Sequence, residues 1–255
     1  MKNGIIIQAR MGSQRLPGKV MKPLAGEPAL YRILERLSNC KTIDEIIVAT
    51  TNNPEDSQIV SLAKDFGVKF YRGSNEDVLL RFYQSATEFS LDVIIRITAD
   101  CPFIDSEIID RMLIKFNKLN TNRKHCEYLS NIARRKFPRG LDVEIFSYSV
   151  LEKINKMAKN PYDREHVTTY IRNNPKEFKT ARYTPLVDNS KYRWTLDEKD
   201  DYEFISRVYE GLYYQNPKFR YKDILKYLNQ NPELALINSD VKQKSEIKKV
   251  CKGRV

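Results

Sequence analysis

A strongly cationic loop lies near the start of the sequence. Residues 8–19, QARMGSQRLPGK, contain Arg10, Arg15 and Lys19 but no acidic side chain. Guanidinium and ammonium groups are the side-chain donors that bind phosphate and carboxylate oxygens most strongly. Their concentration in one short loop predicts an anion-binding site, and a polyphosphate is the ligand that best matches three cations.

The surroundings of this loop strengthen that prediction. The apolar run at 4–7, Gly-Ile-Ile-Ile, predicts a buried strand that ends where the loop begins, and open α/β sheets bind ligands at that carboxyl edge. Gly12 and Gly18 allow backbone N–H groups to approach a ligand closely, while Ser13 adds a hydroxyl donor. A solvated basic loop is the alternative, and the preceding strand and the two glycines favour the site over it.

The spacing within the loop excludes one common class of phosphate site. A Walker loop has four residues between its first glycine and its Gly-Lys pair, whereas five residues separate Gly12 from Gly18 here. Val20 stands where a Walker loop carries the Ser or Thr that binds magnesium. The chain is therefore not predicted to be a P-loop kinase or GTPase.

Two aspartates are candidates for holding the metal that usually accompanies a polyphosphate. Mg²⁺ takes carboxylate oxygens and keeps several waters, so its ligands should lie at strand ends that face the basic loop. Asp100 follows the run VIIRITA and precedes Cys-Pro, and Asp197 follows YRWTL just before a predicted helix. A turn residue at Asp100 and a helix N-cap at Asp197 are the structural alternatives.

The net charge of +11 is concentrated in two segments. Residues 10–22 carry +4 and residues 241–255 carry +5, so the rest of the chain is nearly neutral. A protein that binds duplex nucleic acid is expected to spread its cations over a broad face. We therefore expect no specific nucleic-acid partner, and we interpret residues 241–255 as a basic C-terminal tail.

The composition argues against several other classes. No stretch approaches the ~18 apolar residues of a membrane span, and the four apolar positions after Met-Lys-Asn are too few for a signal peptide, which predicts a cytoplasmic protein. The four cysteines include no CxxC pair, so neither a disulfide framework nor a zinc site is predicted.

Alternating strands and helices are predicted to position these groups. Apolar runs predict further strands at 45–49, 68–71 and 93–97. Apolar stripes with helical spacing predict helices around 30–37, 59–66 and 78–89. This alternation is typical of an α/β fold with a mostly parallel sheet and helices on both faces.

The alternation breaks down after about residue 120. Strands are predicted there at 127–132, 142–146 and 178–183. Helices are predicted at 149–158, 161–174, 198–213 and 221–229. The middle of this half could be a smaller α+β subdomain packed on the first sheet.

Several segments resemble one enzyme family. They are IIIQARMGSQRLPGK, EIIVAT, RGSNEDVLLRFY, RITADCP, FPRGLDVEIF, DREHVTTYIRNNP and YRWTLDEKDDYEFI. Together they resemble the cytidylyltransferases that make CMP-activated acidic sugars, such as the CMP-KDO and CMP-sialate synthetases. PRGLDVE and REHVT point to the spore-coat polysaccharide branch, and the resemblance covers roughly residues 3–230.

The resemblance implies a Rossmann-like fold of the nucleotide-diphospho-sugar transferase type. It implies a single nucleotidyltransferase domain over residues 1–240, with an inserted dimerisation and acceptor subdomain at approximately 125–190. The implied reaction transfers CMP from CTP to an acidic, ulosonic-acid-like sugar and releases pyrophosphate, with Mg²⁺ as cofactor. A homodimer and a role in surface polysaccharide or glycan biosynthesis are implied as well.

The matched motifs carry the family's site residues to particular positions. Arg10, Lys19 and Asp100 are the implied catalytic residues, and Asp100 and Asp197 are the implied metal ligands. The implied nucleotide-binding residues are Ala9, Arg10, Gly12, Ser13, Arg15, Lys19, Thr50, Arg72, Asp77 and Arg81. The sequence departs from the family pattern at Thr50-Thr51-Asn52, Ala99 and Leu80, which affects the expected base contacts more than the metal site.

Two charged clusters in the second half of the chain are candidates for binding the acceptor. The predicted acceptor-binding residues are Arg139, Asp142, Glu144, Arg164 and His166. A basic pair suits a carboxylate-bearing sugar through bidentate contacts. His166 is alternatively a surface histidine, and Asp77 with Arg81 is alternatively an i,i+4 pair on a helix.

Two other functions stay open on the sequence alone. A sugar-1-phosphate nucleotidyltransferase or a glycosyltransferase would share the same architecture. A glycosyltransferase of this fold is expected to carry an Asp-x-Asp motif, which Ala-Asp-Cys-Pro at 99–102 lacks. The alternative that is not an enzyme is an anion- or RNA-binding module that uses the loop and the tail.

Overall fold

A central seven-stranded sheet organises the protein in the computed structural model, which describes residues 1–121 and 125–242. Within those residues the strands are β1 (Asn3–Gln8), β2 (Pro23–Leu24), β3 (Glu27–Pro28), β4 (Glu45–Thr51), β5 (Lys69–Gly73), β6 (Val93–Thr98), β7 (Tyr128–Ser130), β8 (Glu144–Ser147) and β9 (Thr180–Arg182). Strands β2 and β3 pair as a separate hairpin, and the others belong to the central sheet.

Helices flank the sheet along the same described residues. They are α1 (Ala29–Leu37), α2 (Ser57–Phe66), α3 (Val78–Glu88), α4 (Ser106–Thr121), α5 (Tyr148–Met157), α6 (Pro161–His166), α7 (Thr169–Asn173), α8 (Lys199–Leu212) and α9 (Tyr221–Gln230). Short 3₁₀ turns occur at Lys19–Met21, Pro54–Asp56 and Pro232–Leu236. Helix α4 is an addition to the elements predicted from the sequence.

The sheet has the strand order β5-β4-β1-β6-β8-β7-β9. Strands β1, β4, β5 and β6 run parallel to one another, whereas β8 is antiparallel to β6. Strand β7 is antiparallel to β8, and β9 is parallel to β7. The predicted mostly parallel α/β fold is confirmed, and the strands at 128–182 extend the same sheet.

Apolar side chains pack on both faces of the sheet. Ile5 and Ile7 of β1 belong to one core cluster and Ile6 to the other, and all three are fully buried. Helices α1, α2, α4, α8 and α9 contribute to the first cluster, and α3, α5 and α7 contribute to the second. A strand covered on both sides reads as a continuous apolar run, which is why β1 was predictable from its sequence.

The helix predicted at 161–174 is divided in two at Val167. This residue has φ +56°, and the N–H of Thr168 donates to the carbonyl oxygen of His166 at 2.6 Å. A β-branched residue rarely adopts such a tight turn, because its side chain crowds the backbone there. The Val167 side chain is fully buried, so packing holds the turn in place and ends α6 at His166.

The parallel arrangement brings four strand ends to one edge of the sheet. The loops after β1, β4, β5 and β6 all leave from this edge, as expected for a ligand site in an open α/β sheet. Along the described part of the chain, no helix combines the length and apolar character needed to cross a membrane. The predicted basic tail lies outside the described residues from 243 onward.

Candidate active site

A cleft of about 640 Å³ opens at the carboxyl edge of the sheet. Its base is formed by the ends of β1 and β6, which pair so that Gln8 lies beside Thr98. The cationic loop after β1 forms one wall, and α3 with α6 forms another. The cleft therefore lies where the sequence predicted the ligand.

A buried carboxylate fixes the start of the cationic loop. The Met11 backbone N–H donates to Asp56 Oδ1 at 2.7 Å. Asp56 also accepts the backbone N–H and the hydroxyl of Thr51, and its side chain is fully buried. A buried carboxylate with several donors has one stable orientation. Asp56 thus ties the loop after β1 to the end of β4.

The end of the same loop is fixed by apolar packing. Leu16 and Val20 are buried in the core, which leaves the preceding residues, Arg15 and Lys19, to line the cleft. Between them Gly18 adopts φ +64°, a left-handed conformation that favours glycine. Gly18 and the apolar residues Leu16 and Val20 therefore turn Arg15 and Lys19 toward the cleft.

The ammonium of Lys19 lies between the two predicted metal ligands. Lys19 Nζ is 3.2 Å from Asp100 Oδ2 and 2.8 Å from Asp197 Oδ1. Burial opposes ionisation of Asp100, yet the charge of Lys19 and a hydrogen bond from Thr98 outweigh it and hold the pKa of Asp100 at about 2. Burial also opposes the ammonium, but the two carboxylates raise the pKa of Lys19. Lys19 and Asp100 are therefore both charged at neutral pH.

Backbone hydrogen bonds hold the segment that carries Asp197 beside Asp100. The Leu196 N–H donates to the carbonyl oxygen of Asp100 at 2.8 Å, and the Trp194 N–H donates to that of Arg139 at 2.7 Å. Gly140 has φ +104°, and a Cβ there would lie 2.4 Å from the carbonyl oxygen of Trp194. Only glycine permits this close approach. The PRGLD segment, residues 138–142, thus packs closely against the backbone of the segment that carries Asp197.

Each carboxylate turns one oxygen toward Lys19 and bonds the protein through the other. Asp100 Oδ1 accepts the hydroxyl of Thr98 at 2.5 Å. Asp197 Oδ2 accepts Arg193 Nη2 at 3.0 Å and lies 3.3 Å from the guanidinium of Arg15. The remaining oxygens, Asp100 Oδ2 and Asp197 Oδ1, face one shared position.

Asp100 Oδ2 and Asp197 Oδ1 are candidate ligands for a divalent cation that would displace Lys19 Nζ from the position between them. Mg²⁺ is commonly held by one or two carboxylates, with substrate phosphates and water completing its shell. In residues 1–121 and 125–242, no group of three or more His, Cys, Asp and Glu side chains converges to hold a metal unaided. The two carboxylates therefore match a cation that binds together with a phosphate ligand.

A chain of charged and polar groups forms the floor of the cleft. Arg96 donates to Gln8 Oε1 at 2.9 Å and pairs with Glu144. Glu144 is buried and also accepts the hydroxyls of Tyr128 and Thr168. Burial opposes its ionisation, but Arg96, Arg172 and the two hydroxyl hydrogen bonds together outweigh burial and lower the pKa of Glu144. Because Gln8 Oε1 is engaged by Arg96, its amide N–H₂ is the group that Gln8 offers to a ligand.

Arg81 is a nearly buried cation in the wall formed by α3. Only 2% of the residue is exposed, and within the described residues it forms no ion pair but donates to the carbonyl oxygen of Ser74. Burial and then the neighbouring charge of Arg10 lower the pKa of Arg81 to about 10, against the opposing influence of Asp56 and Asp77. A buried guanidinium without a carboxylate in direct contact is a candidate donor for an anionic ligand.

The structure brings most residues of the predicted site together. Those that line the cleft are Ala9, Arg10, Gly12, Ser13, Arg15, Lys19, Arg81, Asp100, His166 and Asp197. The ring of His166 contacts that of Tyr162, with 4.3 Å between centroids. Nucleotide, metal and acceptor candidates from five separate segments therefore share one cavity.

Three residues predicted to bind the nucleotide have other environments. Thr50 is fully buried within β4. Arg72 donates to two backbone carbonyls of the segment at the end of β4. Asp77 caps α3 and pairs with Arg164 at 2.7 Å, so it does not form the i,i+4 pair with Arg81. These side chains shape the loops around the cleft and do not line it.

Four residues predicted to bind the acceptor also lie outside the lining of the cleft. Arg139 lines a separate cavity of about 230 Å³. Asp142 accepts two hydrogen bonds from Arg135, at 2.5 and 2.8 Å. Glu144 lies beneath the floor, and Arg164 is bonded to Asp77 and to α5. Other residues of the protein therefore bond the side chains of Asp142, Glu144 and Arg164, which the sequence predicted to bind a sugar.

Sequence reasoning did not identify several residues that organise the site. Gln8 and Arg96 line the cleft, and the buried carboxylates Asp56 and Asp201 hold its loops. A signal existed for the first two, because Gln8 ends an otherwise apolar strand and Arg96 interrupts one. Asp201 carries a local signal as well, since it forms a capping box with Glu198 at the start of α8. No pattern of spacing marks Asp56, because its partner Met11 is distant in the sequence.

Comparison with known proteins identifies relatives over almost the whole chain. A family model described as cytidylyltransferase matches residues 4–244. The chain is 40% identical over 242 residues to Uncharacterized protein MJ1063 of Methanocaldococcus jannaschii, covering 94% of this chain and 96% of that protein. It is 32% identical over 238 residues to the spore coat polysaccharide biosynthesis protein SpsF of Bacillus subtilis, covering 90% and 95%.

Solved structures show the same architecture. A cytidylyltransferase from Leptospira borgpetersenii is similar with a TM-score of 0.87 at 39% identity, covering 92% of this chain and 97% of that one. A CMP:2-keto-3-deoxy-manno-octonic acid synthetase complexed with CTP is similar with a TM-score of 0.62 at 17% identity, covering 83% and 99%. At that identity the second likeness shows the fold alone. The resemblance inferred from the motifs is confirmed.

Proposed function

This chain belongs to the cytidylyltransferase family and is a nucleotidyltransferase, and we propose that it transfers CMP from CTP to an acidic sugar of the ulosonic-acid type, with release of pyrophosphate. We further propose a role in the synthesis of surface polysaccharide or glycans. The similarity to SpsF, a spore coat polysaccharide biosynthesis protein, supports that role.

The observation that carries the proposal is the position of Lys19 between Asp100 and Asp197. Two carboxylates that share one cation, beside a loop with Arg10 and Arg15, combine a metal position with donors for phosphate. We propose Mg²⁺ as the metal. When bound, it would neutralise charge on the phosphoryl oxygens and on the departing pyrophosphate.

The reaction requires one bond to form and one to break at the α-phosphorus. An acceptor hydroxyl oxygen bonds to that phosphorus as the bond to the oxygen leading to the β-phosphate breaks, and the hydroxyl proton passes to solvent water. Lys19, Arg10 and Arg15 are the donors proposed to bind the triphosphate and stabilise the leaving group. Asp100 and Asp197 are the metal ligands in this proposal.

The acceptor is proposed to lie over the floor of the cleft. Gln8 and Arg96 line the cleft at this floor, and His166 lines the same cavity from α6. The amide N–H₂ of Gln8 can donate to a carboxylate or hydroxyl oxygen of a sugar. An acidic sugar therefore suits the floor better than a cationic or apolar acceptor.

We also propose a homodimer. Leu186 and Val187, in the loop that follows β9, are 99% and 66% exposed, and β9 is the last strand of the central sheet. Exposed apolar side chains beside an open strand edge are typical of an interface. Light scattering after size-exclusion chromatography tests this directly. A monomeric mass at micromolar concentration would remove the dimer and leave the proposed reaction intact.

The reaction is tested by measuring pyrophosphate release with CTP, UTP, ATP and GTP in the presence of Mg²⁺. Each nucleotide is combined with a panel of ulosonic acids, neutral sugars and sugar 1-phosphates. Release that needs both CTP and an ulosonic acid supports the proposal. Release with a sugar 1-phosphate instead would indicate the other nucleotidyltransferase class, and salt-sensitive RNA binding without any release would indicate a binding module.

Two substitutions extend this test. Lys19→Ala and Asp100→Ala are each expected to lower turnover by on the order of 10²–10³, because each removes charge stabilisation in the transition state. Lys226→Ala on α9, outside the residues that line the cleft, is the control and should retain full turnover. Pyrophosphate release near the wild-type rate from either site variant would contradict the proposed site.

A further inference from the structure

The guanidinium of Arg193 links a proposed metal ligand to a fully buried carboxylate. Arg193 Nη2 donates to Asp197 Oδ2 at 3.0 Å, and Arg193 Nε and Nη2 donate to the two oxygens of Asp201 at 2.8 and 2.9 Å. We infer that Arg193, held by Asp201, is a positioning residue that leaves only Asp197 Oδ1 available to a metal ion. This inference rests on the proposed function.

Arg193 acts from outside the surface that the substrates would contact. It does not line the cleft but lines the separate cavity of about 230 Å³, together with Asn238. Arg193 is therefore placed to act on the reaction through Asp197. Its effect should appear in the binding of the metal and not in the binding of the nucleotide.

Asp201 is held too firmly to release Arg193. Its side chain is fully buried and accepts the backbone N–H groups of Asp197 and Glu198, each at 3.1 Å. Asn238 adds a further hydrogen bond at 2.9 Å. A two-point contact between guanidinium and carboxylate also fixes the plane of the arginine. The direction in which Arg193 meets Asp197 is consequently set by the fold.

A fixed Arg193 has a specific effect on Asp197. Oδ2 of Asp197 is occupied by Arg193 and by the nearby Arg15, so Oδ1 is the oxygen directed to the shared position at Lys19. Mg²⁺ demands near-ideal octahedral geometry, whereas Ca²⁺ accepts two oxygens of one carboxylate readily. A carboxylate restricted to one oxygen therefore favours Mg²⁺ and similar small cations over Ca²⁺.

The alternative explanation is that Arg193 only stabilises the fold. Measurements of metal affinity distinguish that structural role from the positioning role. Partners that orient a metal ligand typically change metal affinity by about 10–100-fold. We expect Arg193→Ala and Asp201→Asn to weaken Mn²⁺ binding to the full chain by about 10-fold or more. The binding is measured by water proton relaxation in the absence of nucleotide. Affinity for CTP without metal should stay unchanged. Arg193→Lys, which keeps the charge but loses the two-point contact, should be intermediate.

Chemical rescue sharpens the test. Removing the Arg193 side chain enlarges the cavity that it lines, so guanidinium ion at millimolar concentration can occupy the vacated place. We expect guanidinium to restore Mn²⁺ affinity in Arg193→Ala and to leave Asp201→Asn unrestored, because the fixed acceptor is lost there. Arg207→Ala is the matched control, since Arg207 lies on α8, is 57% exposed and pairs only with Glu203 among the described residues.

The outcomes distinguish this inference from the proposed function. Wild-type Mn²⁺ affinity in folded Arg193→Ala, or in Arg193→Lys should the alanine variant not fold, would overturn the positioning role. If Asp100→Asn and Asp197→Asn abolish Mn²⁺ binding in the same experiment, the proposed metal site is supported even though Arg193 does not position Asp197. If those two variants also bind Mn²⁺ normally, the metal site itself is wrong and the positioning role falls with it.

Discussion

Lys19 Nζ lies 2.8 Å from Asp197 Oδ1, so the cation proposed to bind the triphosphate is bonded to a carboxylate proposed to bind the metal. The same ammonium lies 3.2 Å from Asp100. A metal ion and this ammonium cannot occupy one position between two carboxylates, because their charges repel. Binding of the nucleotide, which would draw Lys19 to its phosphates, should therefore make the two carboxylates available to the metal.

This relationship predicts that nucleotide and metal bind cooperatively. Lys19→Met should bind Mn²⁺ alone several-fold more tightly than the wild type, because a competing positive charge is gone. The same variant should bind CTP more weakly and should show less enhancement of metal affinity by CTP. Calorimetric titration of each ligand with and without the other measures this coupling. Equal Mn²⁺ affinity in the variant and the wild type would show that Lys19 does not compete with the metal.

Arg81 is expected to affect ligand binding more than stability. Arg81→Met removes a buried cation that has no ion-pair partner among the described residues, together with its hydrogen bond to the Ser74 carbonyl oxygen, so thermal stability should change little. Nucleotide affinity should fall by about tenfold, the loss of one charged hydrogen bond of ~1.5 kcal/mol. Melting temperature and CTP affinity are measured side by side. A large loss of stability with intact affinity would show that Arg81 is structural.

The buried carboxylate of Glu144 is expected to make a pH-dependent contribution to the free energy of unfolding. Burial opposes its charge, but Arg96 and Arg172 outweigh burial and lower its pKa in the folded protein below the usual 4.5. A lowered pKa means that the contribution is complete above about 4.5 and is lost as the pH falls through the folded value. Glu144→Gln should therefore cost ~3 kcal/mol of unfolding free energy at pH 7 and progressively less in acid. Urea unfolding between pH 7 and pH 3.5 measures the difference, and a constant difference would contradict this assignment.

Gly140 and Gly26 form a matched pair for testing the close packing of residues 138–142 against the segment that carries Asp197. Both have positive φ, but a Cβ at Gly140 would lie 2.4 Å from a backbone oxygen, whereas at Gly26 it would meet nothing within 4 Å. Gly26→Ala should cost ~1 kcal/mol from backbone strain alone. Gly140→Ala should cost ~3 kcal/mol and lower turnover, because the Trp194 backbone must move with the segment that carries Asp197. Similar costs at the two positions would show that the close approach is unimportant.

The elements of the first half were predictable because their physical causes are local. β1 is a run of buried β-branched residues, and α2 combines an apolar stripe with Gly67, which has φ +84° at its C-cap. The cationic loop was predictable for the same reason, since Arg15, Lys19 and Gly18 lie within a few residues of one another.

The rest of the site depends on contacts that no local pattern reports. The pairing of Asp77 with Arg164 crosses from α3 to α6, and the bond from Leu196 to Asp100 joins two distant segments. Arg164 and Glu144 carry charges that suggest a ligand, yet the fold supplies their partners from within. The break at Val167 was equally hidden, because tertiary packing there overrides the local preference for a continuous helix.

The contact between the backbones of Leu196 and Asp100 joins two segments that leave the ribosome at very different times. A nascent chain that has emerged through β6 can already display the cationic loop and Asp100, but Asp197 and Asn238 emerge much later. Residues far apart in sequence close their contacts late, after the loop-closure entropy between them has been overcome. A partly translated or C-terminally degraded chain would therefore possess the cationic loop without the complete pair of carboxylates.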